Sequence, residues 1–135
     1  MRGYVGVPFR DGGRDQAGWD CWGLVRFAHW DEAGVELPSY GEISAADLLS
    51  AARAMREGAQ DEIWRRVTDL PRRRMDVVLM RRLGDSGRAP VHVGILADER
   101  RMLHVEEAAD THLVPLDHPT VRPRILDFFR HRDLP

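Results

Sequence analysis

The chain changes texture at Met75, and this change limits its fold more than any other feature. Before Met75, apolar residues recur at helical spacing; after it, they come in short runs separated by polar turns. Asp76-Val77-Val78-Leu79-Met80 reads as a buried strand, Val91 to Ala97 as a second and Met102 to Glu106 as a third. Thr111 to Leu116 and Ile125 to Phe129 read as a fourth and a fifth. Upstream, Cys21, Leu24, Val25 and Ala28 mark one face of a helix over 21–33, with Asp20 as N-cap and Gly34 as C-cap. A second helix is expected from Ser44 to about Glu57, burying Leu48, Leu49, Ala52 and Met55. Glu62 to Val67 suits either helix or strand. Helices first and strands second predict an α+β fold, with N-terminal helices packed on a C-terminal antiparallel sheet or small barrel of about five strands. At 135 residues, with no internal repeat or linker, a single domain over 1–135 is expected.

Composition narrows the partners. A net charge of −2 offers no general attraction to nucleic acid or to an anionic membrane. No apolar run approaches the length of a membrane span, so no membrane insertion is expected. Met1-Arg2-Gly3-Tyr4 is not followed by an apolar signal segment, which predicts synthesis in the cytoplasm. The single cysteine excludes an intramolecular disulfide.

That cysteine lies in Gly18-Trp19-Asp20-Cys21-Trp22-Gly23-Leu24-Val25-Arg26, where a glycine-rich loop turns into the first helix. Unpaired backbone N–H groups and the helix dipole favour a thiolate at this position, while Asp20 opposes it. The plainer reading is a buried cysteine acting as a small hydrophobe.

A nucleophilic cysteine needs a base, and the base needs an orienting group. His92 and His104 each interrupt an apolar strand and lie twelve residues apart around Asp98-Glu99-Arg100. An odd hairpin loop centred on Asp98 pairs them directly on one face, with Cβ atoms about 5 Å apart; an even loop separates them. Cys21, His92 and His104 suit either a catalytic triad or three ligands of a zinc site. The lack of a close ligand pair weighs against zinc, and no metal or other cofactor is expected. His29 is expected at the surface, and His112, His118 and His131 are given no role. Trp19 and Trp22 suit core anchors or the walls of a substrate groove.

Taken together, Tyr4-Val5-Gly6-Val7-Pro8-Phe9, Gly12-Gly13, Gly18 to Val25, Asp76-Val77-Val78, His92-Val93-Gly94-Ile95 and Leu103-His104 resemble the NlpC-type cell-wall cysteine peptidases. Asp20 to Arg26 followed by Gly34 to Tyr40 is similar to their phage-tail branch, which includes the tails of gene transfer agents. The resemblance implies a papain-like α+β core and a thiol protease acting as a peptidoglycan hydrolase. The implied bond lies in the stem peptide, often between D-glutamate and the diamino acid. By the motif Cys21 is the nucleophile, His92 the base and His104 the orienter, with backbone N–H groups of Cys21 and Trp22 for the oxyanion. Phe9, Trp19 and Trp22 are the candidates for the substrate groove. The implied partners are peptidoglycan stem peptides and other tail proteins, in a virion-like particle that acts in the target cell's periplasm during cell wall degradation. A peptidoglycan amidase and a non-catalytic tail-tip module are the alternatives. Phe9 stands where the family often has Tyr, Trp22 where Ser is common, and Met75 where Gly is usual.

Overall fold

A computed structural model describes residues 1–37, 64–67, 71–81, 92–107 and 109–134. A short hairpin, β1 (Arg14–Asp15) and β2 (Gly18–Trp19), leads into helix α1 (Cys21–Ala33). Then come strands β3 (Trp64–Arg66), β4 (Val77–Met80), β5 (His92–Leu96), β6 (Arg101–His104) and β7 (His112–Pro115). A 3-10 turn (Arg122–Arg124) leads into β8 (Ile125–His131). β3 to β8 form one sheet in the order β3-β8-β4-β5-β6-β7, and every neighbouring pair is antiparallel. The fold is α+β and papain-like, with α1 laid on the sheet.

Among the described residues the sheet has six strands rather than five, because Trp64–Arg66 joins it beside β8. The single buried position in that short segment, Trp64, gave too little pattern to separate strand from helix. The helix expected over 44–57 and the loop expected over 84–90 lie outside the described residues.

The ends of α1 follow their capping residues. The Asp20 carboxylate accepts from the Gly23 N–H at 2.7 Å, satisfying one orphan donor of the first turn. Gly34 takes the left-handed conformation (φ 65°) and returns its N–H to His29 and Trp30 carbonyls, which closes the helix. Leu24, Val25 and Ala28 pack with Val77, Leu79, Val93, Ile95, Leu103 and Phe129. The alternate residues Val78, Met80, Leu96 and Met102 form a second cluster with Val114, Leu116 and Val121 on the other face. This two-sided burial explains why β4 and β5 are apolar without a break in alternation.

An ion pair ties the sheet together beneath α1. Arg130 donates to both oxygens of the fully buried Asp76, at 2.7 and 2.8 Å, and the Arg73 N–H adds a third bond at 3.0 Å. Met75, next in line, holds φ 79° while its side chain stays buried. That left-handed backbone accounts for the glycine usual at this position in the family the sequence resembles.

His29 departs from expectation. It is fully buried, with Nδ1 2.8 Å from the Val25 carbonyl and its ring edge-on to Trp64 and near His131. Helical spacing from Val25 places it on the packed side, and its polarity had suggested the opposite. Burial pushes its pKa down to about 4.

Candidate active site

Cys21 is the first residue of α1, and the loop before it is bound tightly to the helix start. Besides capping α1, Asp20 accepts from the Gly12 N–H at 3.0 Å and from Arg14 at 3.1 Å. A Cβ on Gly23 would come within 2.1 Å of the Gly13 carbonyl oxygen, so only glycine allows this approach. Together these contacts fix the backbone on both sides of the cysteine.

The thiol is buried, and backbone N–H groups of Val93, Trp22 and Cys21 face the sulfur. Burial nevertheless pushes the thiol up to about 12, and Asp20 adds to the rise. The expectation that the helix start favours a thiolate is therefore reversed: desolvation outweighs the N–H groups, and the resting group is a neutral thiol. Val93 follows His92 in β5, so the start of α1 and the start of β5 meet at this point.

His92 and His104 come together, but not by direct pairing. β5 and β6 pair Ile95 with Leu103 and Leu96 with Met102. Continuing that register sets Gly94 opposite His104 and His92 opposite Glu106. The hairpin loop is odd, as the geometry requires, but centred on Glu99 rather than Asp98. The two imidazoles therefore meet diagonally on one face, with Nε2 of His92 3.0 Å from Nδ1 of His104. Gly94 lies on that face between them. A Cβ there would stand 3.3 Å from that of His104 and 3.0 Å from the Leu103 carbonyl oxygen, so the glycine keeps the space open.

Two residues without a sequence-derived role join the pair. Oε1 of Glu106 lies 3.5 Å from Nδ1 of His104 and 3.9 Å from Nε2 of His92, and is held at 2.7 Å by Arg124. Burial works to raise its pKa, but the Arg124 hydrogen bond and charge, together with the neighbouring imidazoles, outweigh it and hold Glu106 below the usual carboxylate range. His112 is the direct partner of His104 across β6 and β7, with the two Nε2 atoms 2.9 Å apart. The signals for both lay in the spacing: Glu106 two residues past His104 in an extended segment, and His112 one hairpin further on. His104 itself is pushed down to about 4, first by burial and then by repulsion from His112 and Arg124, against attraction from Glu106. It is a neutral hydrogen-bonding group.

Among the described residues His92, His104 and Glu106 bring three donor atoms within 4.8 Å of one another, a set of metal-ligand type. Cys21 is not in it. The Arg124 guanidinium already holds the carboxylate oxygen that a metal would need, and it sets a like charge against any cation there.

The groove expectations fare differently. Trp19 and Trp22 are fully buried. Trp19 packs on Tyr4 and Phe27 and donates from Nε1 to Thr111 at 2.8 Å, so these tryptophans are core anchors rather than groove walls. Phe9 is half-buried, and its backbone bridges Trp19 and Ala109.

Residues 6–130 match the model of the NlpC/P60 family. The chain belongs to the NlpC/P60 family. It is a family of peptidoglycan hydrolases that are typically cysteine peptidases. Three solved NlpC/P60 structures share its fold. One, described as similar to lipoprotein, is from Staphylococcus aureus: 20% identity, 94% of this chain and 37% of that one, TM-score 0.62. Another is from Bacillus cereus: 18% identity, 95% and 36%, TM-score 0.64. The third is the NlpC/p60 domain of the peptidoglycan hydrolase SagA: 15% identity, 94% and 89%, TM-score 0.58. The chain thus spans little more than a third of the length of the Staphylococcus and Bacillus NlpC/P60 proteins. No curated protein matches it.

Proposed function

We propose that the chain is a cysteine peptidase that cuts a peptide bond of the peptidoglycan stem, with Cys21 as nucleophile, His92 as base and His104 as orienter. The observation that carries this reading is the 3.0 Å contact between the two imidazoles on β5 and β6, at the end of the sheet where Cys21 opens α1. Family membership supports the reaction class.

In this mechanism His92 takes the thiol proton as sulfur attacks the carbonyl carbon, because the buried thiol does not ionise by itself. The N–H groups of Cys21 and Trp22 at the helix start receive the developing oxyanion. His92 then protonates the leaving amine, and water, activated by the same histidine, hydrolyses the thioester. Glu106 favours the charged form of His92 through space, a contribution that a triad of Cys and two His otherwise lacks.

The finer assignment is a D-glutamate to diamino acid endopeptidase carried in a phage-like tail. It would be made in the cytoplasm and act in the target's periplasm as the tail crosses the cell wall. The sequence resemblance over Asp20 to Arg26 and Gly34 to Tyr40 supports this. Digestion of purified peptidoglycan, read by mass spectrometry, tests it. Split stem peptides name an endopeptidase and its bond, whereas intact stems released from bare glycan name an amidase. No products, with a tail partner also present, leave a structural tail-tip module. Recovery of the chain from purified particles tests the tail assignment separately.

A further inference from the structure

The histidine pair continues outward into a chain of hydrogen bonds whose direction is fixed at its far end. Nε2 of His104 lies 2.9 Å from Nε2 of His112, and Nδ1 of His112 lies 3.0 Å from the Asp110 carbonyl oxygen. A carbonyl oxygen only accepts, so the His112 proton belongs on Nδ1. The other tautomer would face one lone pair with another. Above the ordinary histidine range each imidazole carries a single N–H, so there Nε2 of His112 accepts and Nε2 of His104 donates. His104 is held neutral by its burial; its Nδ1 then accepts, and the proton between the inner rings belongs to Nε2 of His92. His92 is left with its basic lone pair on Nδ1.

The carbonyl that sets this direction is itself clamped. The Thr111 N–H donates to the Val7 carbonyl at 2.7 Å, and the Gly6 N–H returns to the Thr111 carbonyl at 2.8 Å. The Thr111 hydroxyl donates to Val7 at 2.9 Å, and the Phe9 N–H donates to the Ala109 carbonyl at 3.1 Å. The N-terminal segment thus holds both neighbours of Asp110 in place. The Glu106 oxygen lies 3.5 Å from Nδ1 of His104 and 3.9 Å from Nε2 of His92, so it pulls the shared proton towards His104, and the His112–Asp110 end of the chain is what opposes it.

We propose that His112 is a positioning residue which, through His104, selects the His92 tautomer whose Nδ1 is the base. The inference rests on the assignment of His92 as base in the proposed peptidase reaction. His112 is exposed on edge strand β7, so its replacement opens no core.

The test is ¹⁵N NMR of the imidazole nitrogens at about pH 8, above the ordinary histidine range. It is run on the full chain, on His112→Phe, which keeps a ring but has no acceptor, and on His112→Gln, whose amide oxygen can accept from His104. Wild type should show N–H at Nε2 of both His92 and His104 and at Nδ1 of His112. His112→Phe should give mixed tautomers at His92 and His104, and His112→Gln should restore the single set. On peptidoglycan fragments, kcat of His112→Phe should fall about tenfold, the scale of one lost hydrogen bond, with KM within about twofold. A wild-type proton on Nδ1 of His104, or tautomers unchanged in His112→Phe, overturns the proposal. The spectra need no substrate, so an inactive wild type would contradict the peptidase reading while leaving this test decisive.

Discussion

The Cys21 thiol lies against the backbone N–H of Val93, the residue that follows His92. This places the sulfur at the start of β5 without making it a thiolate, since burial pushes it up to about 12. Alkylation of Cys21 by iodoacetamide should therefore be slow near neutral pH and still accelerate above about pH 9, following the thiolate fraction. Loss of the adduct in Cys21→Ala confirms the site. A rate plateau below pH 7 would show a preformed thiolate–imidazolium pair instead.

Gly94 should prove as necessary as the histidines it separates. Gly94→Ala puts a Cβ 3.1 Å from Met102 Sδ and 3.3 Å from the His104 Cβ, so the His92–His104 contact has to shift. The expected result is at least about a tenfold loss of kcat with about 1–3 kcal/mol of destabilisation from overpacking. Urea melts and initial rates on the same variant check both, and an unchanged kcat would mean that the contact tolerates the shift.

Asp76 is structural. Asp76→Ala leaves the Arg130 guanidinium buried without its carboxylate and should cost about 3–5 kcal/mol. Replacing both, Asp76→Leu with Arg130→Met, should recover much of that loss. Chemical denaturation of the single and double variants measures the difference.

Stability should fall on mild acidification. His104 and His29 are both pushed down from 6.5 to about 4, chiefly by burial. Between those values the unfolded chain takes up protons that the folded chain refuses, so stability is greatest above pH 6.5 and is lost as pH falls towards 4. The loss is roughly 3 kcal/mol for each histidine. Denaturation at about pH 7 and pH 4.5 should show most of it, and His29→Leu should flatten the dependence. Equal stability at the two pH values would contradict the buried, neutral histidines.

The parts of the fold readable from sequence were those set by local rules. The helix over 21–33 has a capping carboxylate, a left-handed glycine and a regular apolar face, and its observed ends coincide with them. The strands at 77–80, 92–96 and 101–104 are largely apolar runs separated by polar sequence. What sequence did not reveal depends on contacts between distant segments. His29 appeared exposed because its burial comes from Trp64 and His131, far along the chain. At Cys21 the helix start, which favours a thiolate, is local and readable, whereas the desolvation that decides for the buried thiol comes from the assembled core.

The His92–His104 contact was legible in parity but not in register. An odd loop puts both on one face wherever it is centred, but moving the centre from Asp98 to Glu99 turns a direct pair into a diagonal one. The same shift brings Glu106 opposite His92, a placement that the spacing of the two histidines alone does not show. His112 needed a second hairpin register, from β6 to β7.

The proposed peptidase reaction is tested most directly by the initial rate of soluble product release from purified peptidoglycan, measured by mass spectrometry for wild type, Cys21→Ala, His92→Ala and His104→Ala side by side. Wild type should release split stem peptides, Cys21→Ala and His92→Ala none, and His104→Ala a reduced amount, because it removes only the orienting group. Wild-type rates in Cys21→Ala would contradict the nucleophile and, with it, the mechanism.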